Sequence, residues 1–200
     1  MKKQLFHGVI VGALTAMGMG LSAQALAAGT DSLDLTVDAN VTTGTCSASV
    51  YDGETATNTI SFGNVYLSEV INKTKLKTFK LRFSNCAGLQ TKTATLVVAP
   101  NNVACPNTTN GQYANASTSA QKATKTNVEL WTTDTPEGSG AVRLHCWSKP
   151  PQTIDLTGAN MTTPVDYPLS ARLVAESNST PADMSAGDFY SPTTFTITYQ

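Results

Sequence analysis

The sequence ends with Phe195-Thr196-Ile197-Thr198-Tyr199-Gln200, a stretch in which apolar and polar residues alternate up to the last position. A period of two residues is typical of a β-strand with one buried face. No turn and no returning strand follow this stretch, so the strand is predicted to find no partner within the chain. An unpaired strand edge invites pairing with another chain. We therefore interpret the terminal strand as a site for such pairing.

A second alternating run lies near the start of the chain, where Leu33, Leu35 and Val37 are separated by polar residues. This run predicts another half-buried strand beside a free end. The same pattern is also compatible with an ordinary first strand of the same domain. Periodicity alone does not place the boundary between the two.

Residues 1–27 have the organisation of a secretory signal. Lys2 and Lys3 precede an apolar stretch over residues 8–21, and Ala25-Leu26-Ala27 follows it. This order of charged, apolar and small residues predicts export and cleavage after Ala27. The apolar stretch is too short to cross a bilayer comfortably, so removal is favoured over anchoring.

The composition of the chain favours an all-β protein. Charged residues make up 14% of the sequence, against about 25% in an average soluble domain. Threonine is abundant instead, and its branched Cβ favours extended backbone. The formal net charge is −1, so nothing in the composition recruits nucleic acid or an anionic membrane surface.

Short alternating runs separated by turn residues recur along the chain. They cover residues 59–62, 78–83, 93–99, 127–131, 141–147, 152–156 and 169–176. This number and spacing of short strands predicts a β-sandwich or a barrel. Residues 106–125 are polar and without periodicity, which predicts a surface loop, and residues 177–187 are expected to form the last connection.

Four cysteines follow the export signal, namely Cys46, Cys86, Cys105 and Cys146. An oxidising compartment and two disulfides are therefore expected, with three pairings possible on counting alone. No two of the cysteines are spaced as CxxC, and His145 is the only histidine after the signal. A zinc site and any other metal or cofactor site are therefore disfavoured.

The sequence offers no catalytic constellation. It lacks a Gly-x-Ser-x-Gly elbow, and His145 would be the only histidine available as a general base. We expect no catalytic residues and predict that the protein is not an enzyme. Trp131 and Trp147 could stack on sugar rings, but both lie in alternating runs, which favours packing in the core or at a strand edge.

Several motifs together resemble those of a known family. Gly187 precedes the terminal alternating run, and Tyr199 is an aromatic penultimate residue. Thr45-Cys46 follows the N-terminal run, and it is followed by residues 60–65 (ISFGNV) and 79–86 (FKLRFSNC). In this order the motifs resemble those of fimbrial subunits of the chaperone–usher pathway, the type 1 and P pilins. The resemblance runs over essentially the whole chain after the signal.

The resemblance implies an immunoglobulin-like β-sandwich that lacks its final strand, formed by residues 42–200. It implies a disulfide between Cys46 and Cys86, and with it one between Cys105 and Cys146. It also implies an apolar groove beside the terminal strand. The residues expected to mark this groove-edge strand are Gly187, Phe195, Ile197, Tyr199 and Gln200.

The resemblance further implies the partners. A periplasmic chaperone would fill the groove with one of its own strands and hold the terminal carboxylate of Gln200. An outer-membrane usher would then direct assembly, in which residues 28–41 of the next subunit replace the chaperone strand. Leu33, Leu35 and Val37 would be the donor side chains of that extension. Residues 32–41 lack the glycine common in such extensions, which fits a minor, adaptor or terminating subunit as well as a rod subunit.

The expected function is that of a structural subunit of a bacterial surface fimbria used for adhesion, exported through the periplasm and polymerised head to tail. A secreted carbohydrate-binding adhesin or lectin module with a β-sandwich fold is the alternative. The tip adhesins of the resembled family carry a receptor-binding domain before the pilin domain, and the length left after the signal holds one domain.

Overall fold

The structure is a computed structural model that describes residue 39 and residues 43–106 and 111–200. The predicted signal over residues 1–27 and the predicted donor residues Leu33, Leu35 and Val37 lie outside the described residues. The described residues from position 43 onward belong to one compact unit, Val41–Gln200.

The described part of the chain is almost entirely β-structure. The strands are β1 (Thr45–Asp52), β2 (Thr55–Ala56), β3 (Leu76–Ala87), β4 (Thr93–Pro100), β5 (Tyr113–Ala114), β6 (Thr126–Trp131), β7 (Arg143–Leu144), β8 (Gln152–Asp155), β9 (Val165–Ala175) and β10 (Thr193–Tyr199). A single turn of α-helix, α1, spans Leu67–Ile71, and a 3-10 turn spans Pro181–Asp183. Among these elements, no helix has the length and apolar character needed to cross a membrane.

The strands form two antiparallel sheets. The larger sheet has the order β2-β1-β3-β9-β6-β5, with β7 also paired to β6. The smaller sheet has the order β10-β4-β8. Adjacent strands within each sheet are antiparallel. This all-β arrangement of two antiparallel sheets agrees with the sandwich predicted from the sequence.

The core lies between the two sheets, because alternate residues of each strand point inward. β3 contributes Phe79, Leu81 and Phe83, and β4 contributes Leu96 and Val98, all of which are buried. From Phe79 to Phe83, buried and partly buried positions alternate along β3, as the predicted pattern requires. Burial of one such side chain stabilises the folded state by about 1.5–3 kcal/mol.

The outer face of the larger sheet is also covered at β6, which the alternation did not predict. All six residues of β6 are buried, including the charged Glu129. Two arginines neutralise this carboxylate: Arg172 of β9 at 2.7 Å and Arg143 of β7 at 3.1 Å. Both guanidinium groups lie 5.6 Å from the ring centre of Trp131. This network fastens β6 to both of its neighbours from the side opposite the core.

The strand predicted over residues 59–62 is not formed. This segment runs without strand pairing, and its side chains hydrogen-bond the local backbone instead. Thr57 Oγ1 accepts from the Thr59 amide at 3.0 Å, and Ser61 Oγ accepts from the Gly63 amide at 3.3 Å. Local hydroxyl bonds of this kind compete with a strand ladder, and the alternation was therefore a false strand signal here.

The surface loop predicted over residues 106–125 agrees with residues 115–121, which are irregular and not buried, but is wrong for the segment 111–114. It contains β5, and Tyr113 is fully buried, with its hydroxyl 3.5 Å from the Val98 carbonyl oxygen. The strand predicted over residues 141–147 is reduced to the two residues of β7. Trp147 follows that strand and is 61% exposed, so the predicted packing holds for buried Trp131 but not for Trp147.

Two disulfides are present, Cys46–Cys86 and Cys105–Cys146. This is the pairing that the resemblance implied. The first disulfide joins the paired strands β1 and β3. The second links the segment before β5 to the turn after β7.

The ionic network on β6 makes a first prediction. Glu129→Gln should lower the free energy of unfolding by about 3–5 kcal/mol, because it leaves buried Arg172 and partly exposed Arg143 without their shared, fully buried carboxylate. Chemical denaturation followed by intrinsic fluorescence measures this loss. Glu137→Gln is the matched control, since Glu137 contacts the same Arg172 at 2.7 Å but is largely exposed; its expected cost is under about 1 kcal/mol. Equal losses in the two variants would contradict the assigned role of Glu129.

Candidate functional site

The candidate site is built on β10, the predicted groove-edge strand. The prediction that this strand finds no partner is wrong for one of its edges, since β10 pairs with β4 along its whole length, from Thr193–Pro100 to Tyr199–Ala94. It lies at the margin of the smaller sheet, and no other strand of the described residues pairs with its second edge. β10 therefore has one open edge, the edge that faces away from β4.

The backbone groups directed at that open edge follow from the hydrogen bonds at the two ends of β10. The Pro192 carbonyl accepts from the Asn101 amide at 3.0 Å, and the Gln200 amide donates to the Thr93 carbonyl at 3.2 Å. Even-numbered residues therefore face β4. Because direction alternates along a strand, Phe195, Ile197 and Tyr199 direct their N–H and C=O groups away from it.

The same three residues point their side chains into the sandwich. Phe195, Ile197 and Tyr199 pack on the core but stay only partly buried, whereas the threonines between them are exposed. Two edge-to-face aromatic contacts hold the row against β3, Phe195 on Phe79 and Tyr199 on Phe83, each with ring centres 6.5 Å apart. The inward face of β10 thus has a floor but is incompletely covered.

A large cavity opens beside the first half of β10. Its volume is about 1680 Å³, and it reaches Thr193 and Phe195 on the β10 side. Its floor is formed by β6 and β9. The opposite wall is the end of β1 and the unpaired segment after β2, where the apolar side chains are again only partly buried; they include Val50, Ile60, Phe62, Val65 and Leu67. We call the space between these two walls the acceptor groove.

Tyr199 lies beyond the residues that line this cavity, at what we call the narrow end of the acceptor groove; the cavity itself is the wide end. The Tyr199 hydroxyl donates to the Cys46 carbonyl oxygen at 3.0 Å, which joins β10 to β1. Burial raises the pKa of the Tyr199 hydroxyl above its ordinary value, so the group remains a donor. The Cys46–Cys86 disulfide lies directly behind this contact and fixes β1 to β3.

Gly187 lies outside β10, in the segment that leads into it. A Cβ atom at this position would lie 1.9 Å from the Gln121 carbonyl oxygen. Close backbone pairing explains this lack of space, because the Asp188 amide donates to Gln121 and the Ala123 amide donates to Asp188, both at 2.9 Å. Gly187 therefore lets residues 185–188 lie against residues 121–124, at the border of the groove.

At the wide end of the groove, the backbone of Tyr190 is already bonded. The Tyr190 amide donates to Asn115 Oδ1 at 3.1 Å, and the Tyr190 carbonyl accepts from the Ala116 amide at 2.6 Å. Tyr190 therefore offers no free backbone group to an added strand.

This arrangement can bind an extended peptide. A strand placed beside β10 would satisfy the open backbone groups and put every second side chain into the groove. The described residues contain no group of three or more His, Cys, Asp or Glu that could hold a metal ion.

A curated relative decides the family. The fimbrial-like protein YadL of Escherichia coli (strain K12) is 43% identical to this chain over 176 residues, which cover 86% of each protein. The chain belongs to the fimbrial protein family. No protein-family model matches it. Membership of this family confirms the prediction of a structural protein rather than an enzyme.

Solved structures agree on the fold of this fimbrial protein. The P pilus rod subunit PapA superposes with a TM-score of 0.50 at 14% identity, covering 78% of this chain and 99% of PapA. A chaperone–usher pilus structure that describes the molecular basis of rod uncoiling gives a TM-score of 0.53 at 17% identity, covering 89% of this chain and 100% of that one. The predicted all-β pilin fold is confirmed.

Sequence reasoning placed one wall of the groove and missed the other. The predicted residues Phe195, Ile197 and Tyr199 lie together on one face, Gln200 continues their strand, and Gly187 lies before it. The alternation predicted a strand at the facing wall around Ile60 and Phe62. It gave no indication of Tyr66 and Tyr190, which are exposed at the wide end. Residues 60–65 carried the only available signal, through the family motif.

Tyr199 generates a second prediction. Tyr199→Phe should lower the free energy of unfolding by about 0.5–1.5 kcal/mol, because it removes the bond to the Cys46 carbonyl. The raised pKa also means that wild-type stability declines as pH rises above about 10, and the variant should show less of this decline. Denaturation at neutral and alkaline pH measures both effects. Tyr190→Phe is the control, because Tyr190 is exposed. A loss of unfolding free energy as large as that of Tyr199→Phe would refute the role assigned to the bond between Tyr199 and Cys46.

Proposed function

We propose that this chain is a structural subunit of a chaperone–usher fimbria and that its acceptor groove binds a β-strand supplied by another molecule. The observation that carries the proposal is the open edge of β10. Its outward backbone groups and its partly buried side chains belong to the same residues, Phe195, Ile197 and Tyr199. One added strand therefore completes both the hydrogen-bond ladder and the core.

Two occupants would use the groove in succession. A periplasmic chaperone first adds one of its strands, and the N-terminal extension of the next subunit then replaces it. Within residues 28–41 the donor side chains are Leu33, Leu35 and Val37. Their spacing of two residues equals that of the inward row on β10, so the three can lie opposite Tyr199, Ile197 and Phe195.

The expected interaction is strong. Each of the three donor side chains contributes about 1.5–3 kcal/mol on burial. Each strand hydrogen bond adds about 0.5–1.5 kcal/mol. The inserted strand also completes the core of the subunit that receives it, so binding and folding stability are coupled.

The contact is heterologous, because an extension on one subunit meets a groove on another. Repetition of such a contact gives an open filament when the rotation does not close a ring. We propose that residues 1–27 direct export through the periplasm and that an outer-membrane usher directs assembly of the filament at the bacterial surface, where it serves adhesion.

The chaperone also has a second point of attachment in this proposal. Gln200 is exposed beyond Tyr199, with its amide bonded to Thr93. Its terminal carboxylate extends the line of β10 and offers a charge for basic residues of the chaperone to bind.

Deletion of residues 28–38 tests the donor segment. The shortened subunit should still form a chaperone complex, because its groove is unchanged, but it should not extend a fibre. Co-purification with the chaperone and electron microscopy of surface fibres measure the two outcomes separately. Fibres made of the shortened subunit alone would show that this segment is not the donor.

A substitution within β10 tests the acceptor. Ile197→Asp should abolish both chaperone binding and polymerisation, because an unpaired carboxylate would enter an apolar groove at a cost of several kcal/mol. Thr196→Asp is the matched control, since Thr196 is exposed and its side chain points to the opposite face. Size-exclusion chromatography of the co-expressed complex separates the results. Normal complex formation by Ile197→Asp would rule out this groove.

A further inference from the structure

The larger sheet has a margin of its own at β6. β9 pairs with one edge of β6 over all six residues, from Thr126–Ala175 to Trp131–Ser170. The other edge is covered by two very short strands. β5 pairs with Asn127 and Val128, and β7 pairs with Leu130 and Trp131. Ladders of two residues are marginal by themselves.

The second disulfide joins the chain segments that carry these two short strands. Cys105 lies before β5, and Cys146 lies two residues after β7. Two further contacts reinforce the link. The Cys146 amide donates to the Gly111 carbonyl at 3.1 Å, and Asn127 Nδ2 of β6 donates to Gln112 Oε1 at 2.9 Å. We call β5, β7 and this disulfide the β6 cap.

The strand beneath the cap has the properties of an acceptor edge. β6 reads TNVELW and is buried throughout, with Val128 and Leu130 in the core. Without the cap, its outer edge would present unpaired backbone groups beside apolar surface, as β10 does. Natural sheets usually protect such edges, because they add strands from other molecules.

We propose that the Cys105–Cys146 disulfide is a specificity device that keeps the β6 margin closed to strand addition, so that the chain accepts a donor strand at β10 and not at β6. The proposal rests on the proposed strand-acceptor function. A subunit with two acceptor edges could bind two donors and branch. A closed β6 margin confines growth to a linear fibre.

The test uses the mature chain refolded under oxidising conditions with an excess of a peptide of residues 28–41. Native mass spectrometry counts bound peptides, and amide hydrogen exchange reports on β6, with β3 as the internal reference. In wild type we expect one peptide per chain and slow exchange in β6. In Cys105→Ala/Cys146→Ala we expect a second bound peptide. In samples of this variant without excess peptide, we expect amide exchange to be about tenfold faster or more in β6 and unchanged in β3.

The outcomes separate this proposal from the proposed function. If the double variant binds a single peptide, the specificity role is overturned while the β10 groove stands. If wild type binds no peptide, the proposed donor-strand function fails. Independently of that result, unchanged amide exchange of β6 in the double variant overturns the proposed role of the β6 cap. Should the double variant not fold, Cys105→Val/Cys146→Val removes the same bond while filling the fully buried site of Cys146. Normal β6 protection and a single bound peptide in that variant would also overturn the proposal.

Discussion

The structure depends on the open edge of β10. Along this strand, backbone groups that need hydrogen-bond partners and side chains that need burial belong to the same residues. Within the described chain, β4 satisfies the opposite edge only, and the inward row of Phe195, Ile197 and Tyr199 stays partly exposed. A neighbouring strand would supply both hydrogen bonds and cover. The unpaired backbone groups and the partly exposed side chains are therefore satisfied together or not at all. In the proposed function, a strand from another molecule supplies both, so that association also completes the fold.

Contacts elsewhere in the sandwich hold the walls and the floor of the acceptor groove in place. Glu129 is held between Arg143 and Arg172 on the outer face of β6 and β9, the strands whose inner residues form the groove floor. The Cys46–Cys86 disulfide fixes β1 to β3 at the narrow end of the groove, where Tyr199 reaches the Cys46 carbonyl. These constraints hold the walls and the floor in place while the groove is open to a partner.

The two disulfides serve different margins of the molecule. Cys46–Cys86 lies on the side of the acceptor groove, where we propose that a strand is added. In our proposal, Cys105–Cys146 keeps the β6 side closed by joining the chain segments that carry the short strands covering β6. An open sandwich exposes several strand edges, and a protein that assembles by strand addition must distinguish among them. The position of the second disulfide is one physical means of doing so.

Period-two alternation by itself determined the core strands β3 and β4, the inward row of β10 and the all-β class, because pleat geometry sends alternate side chains to opposite faces. The order of the family motifs added the groove and the first disulfide. Alternation failed at residues 59–62, where hydroxyl groups satisfy the backbone locally, and at Tyr113, whose polar surroundings hid a buried residue. Only the tertiary structure decided which strands are neighbours, that β10 has one open edge, and that β6 is buried on both faces. These features depend on contacts between residues far apart in the chain, which no local pattern records.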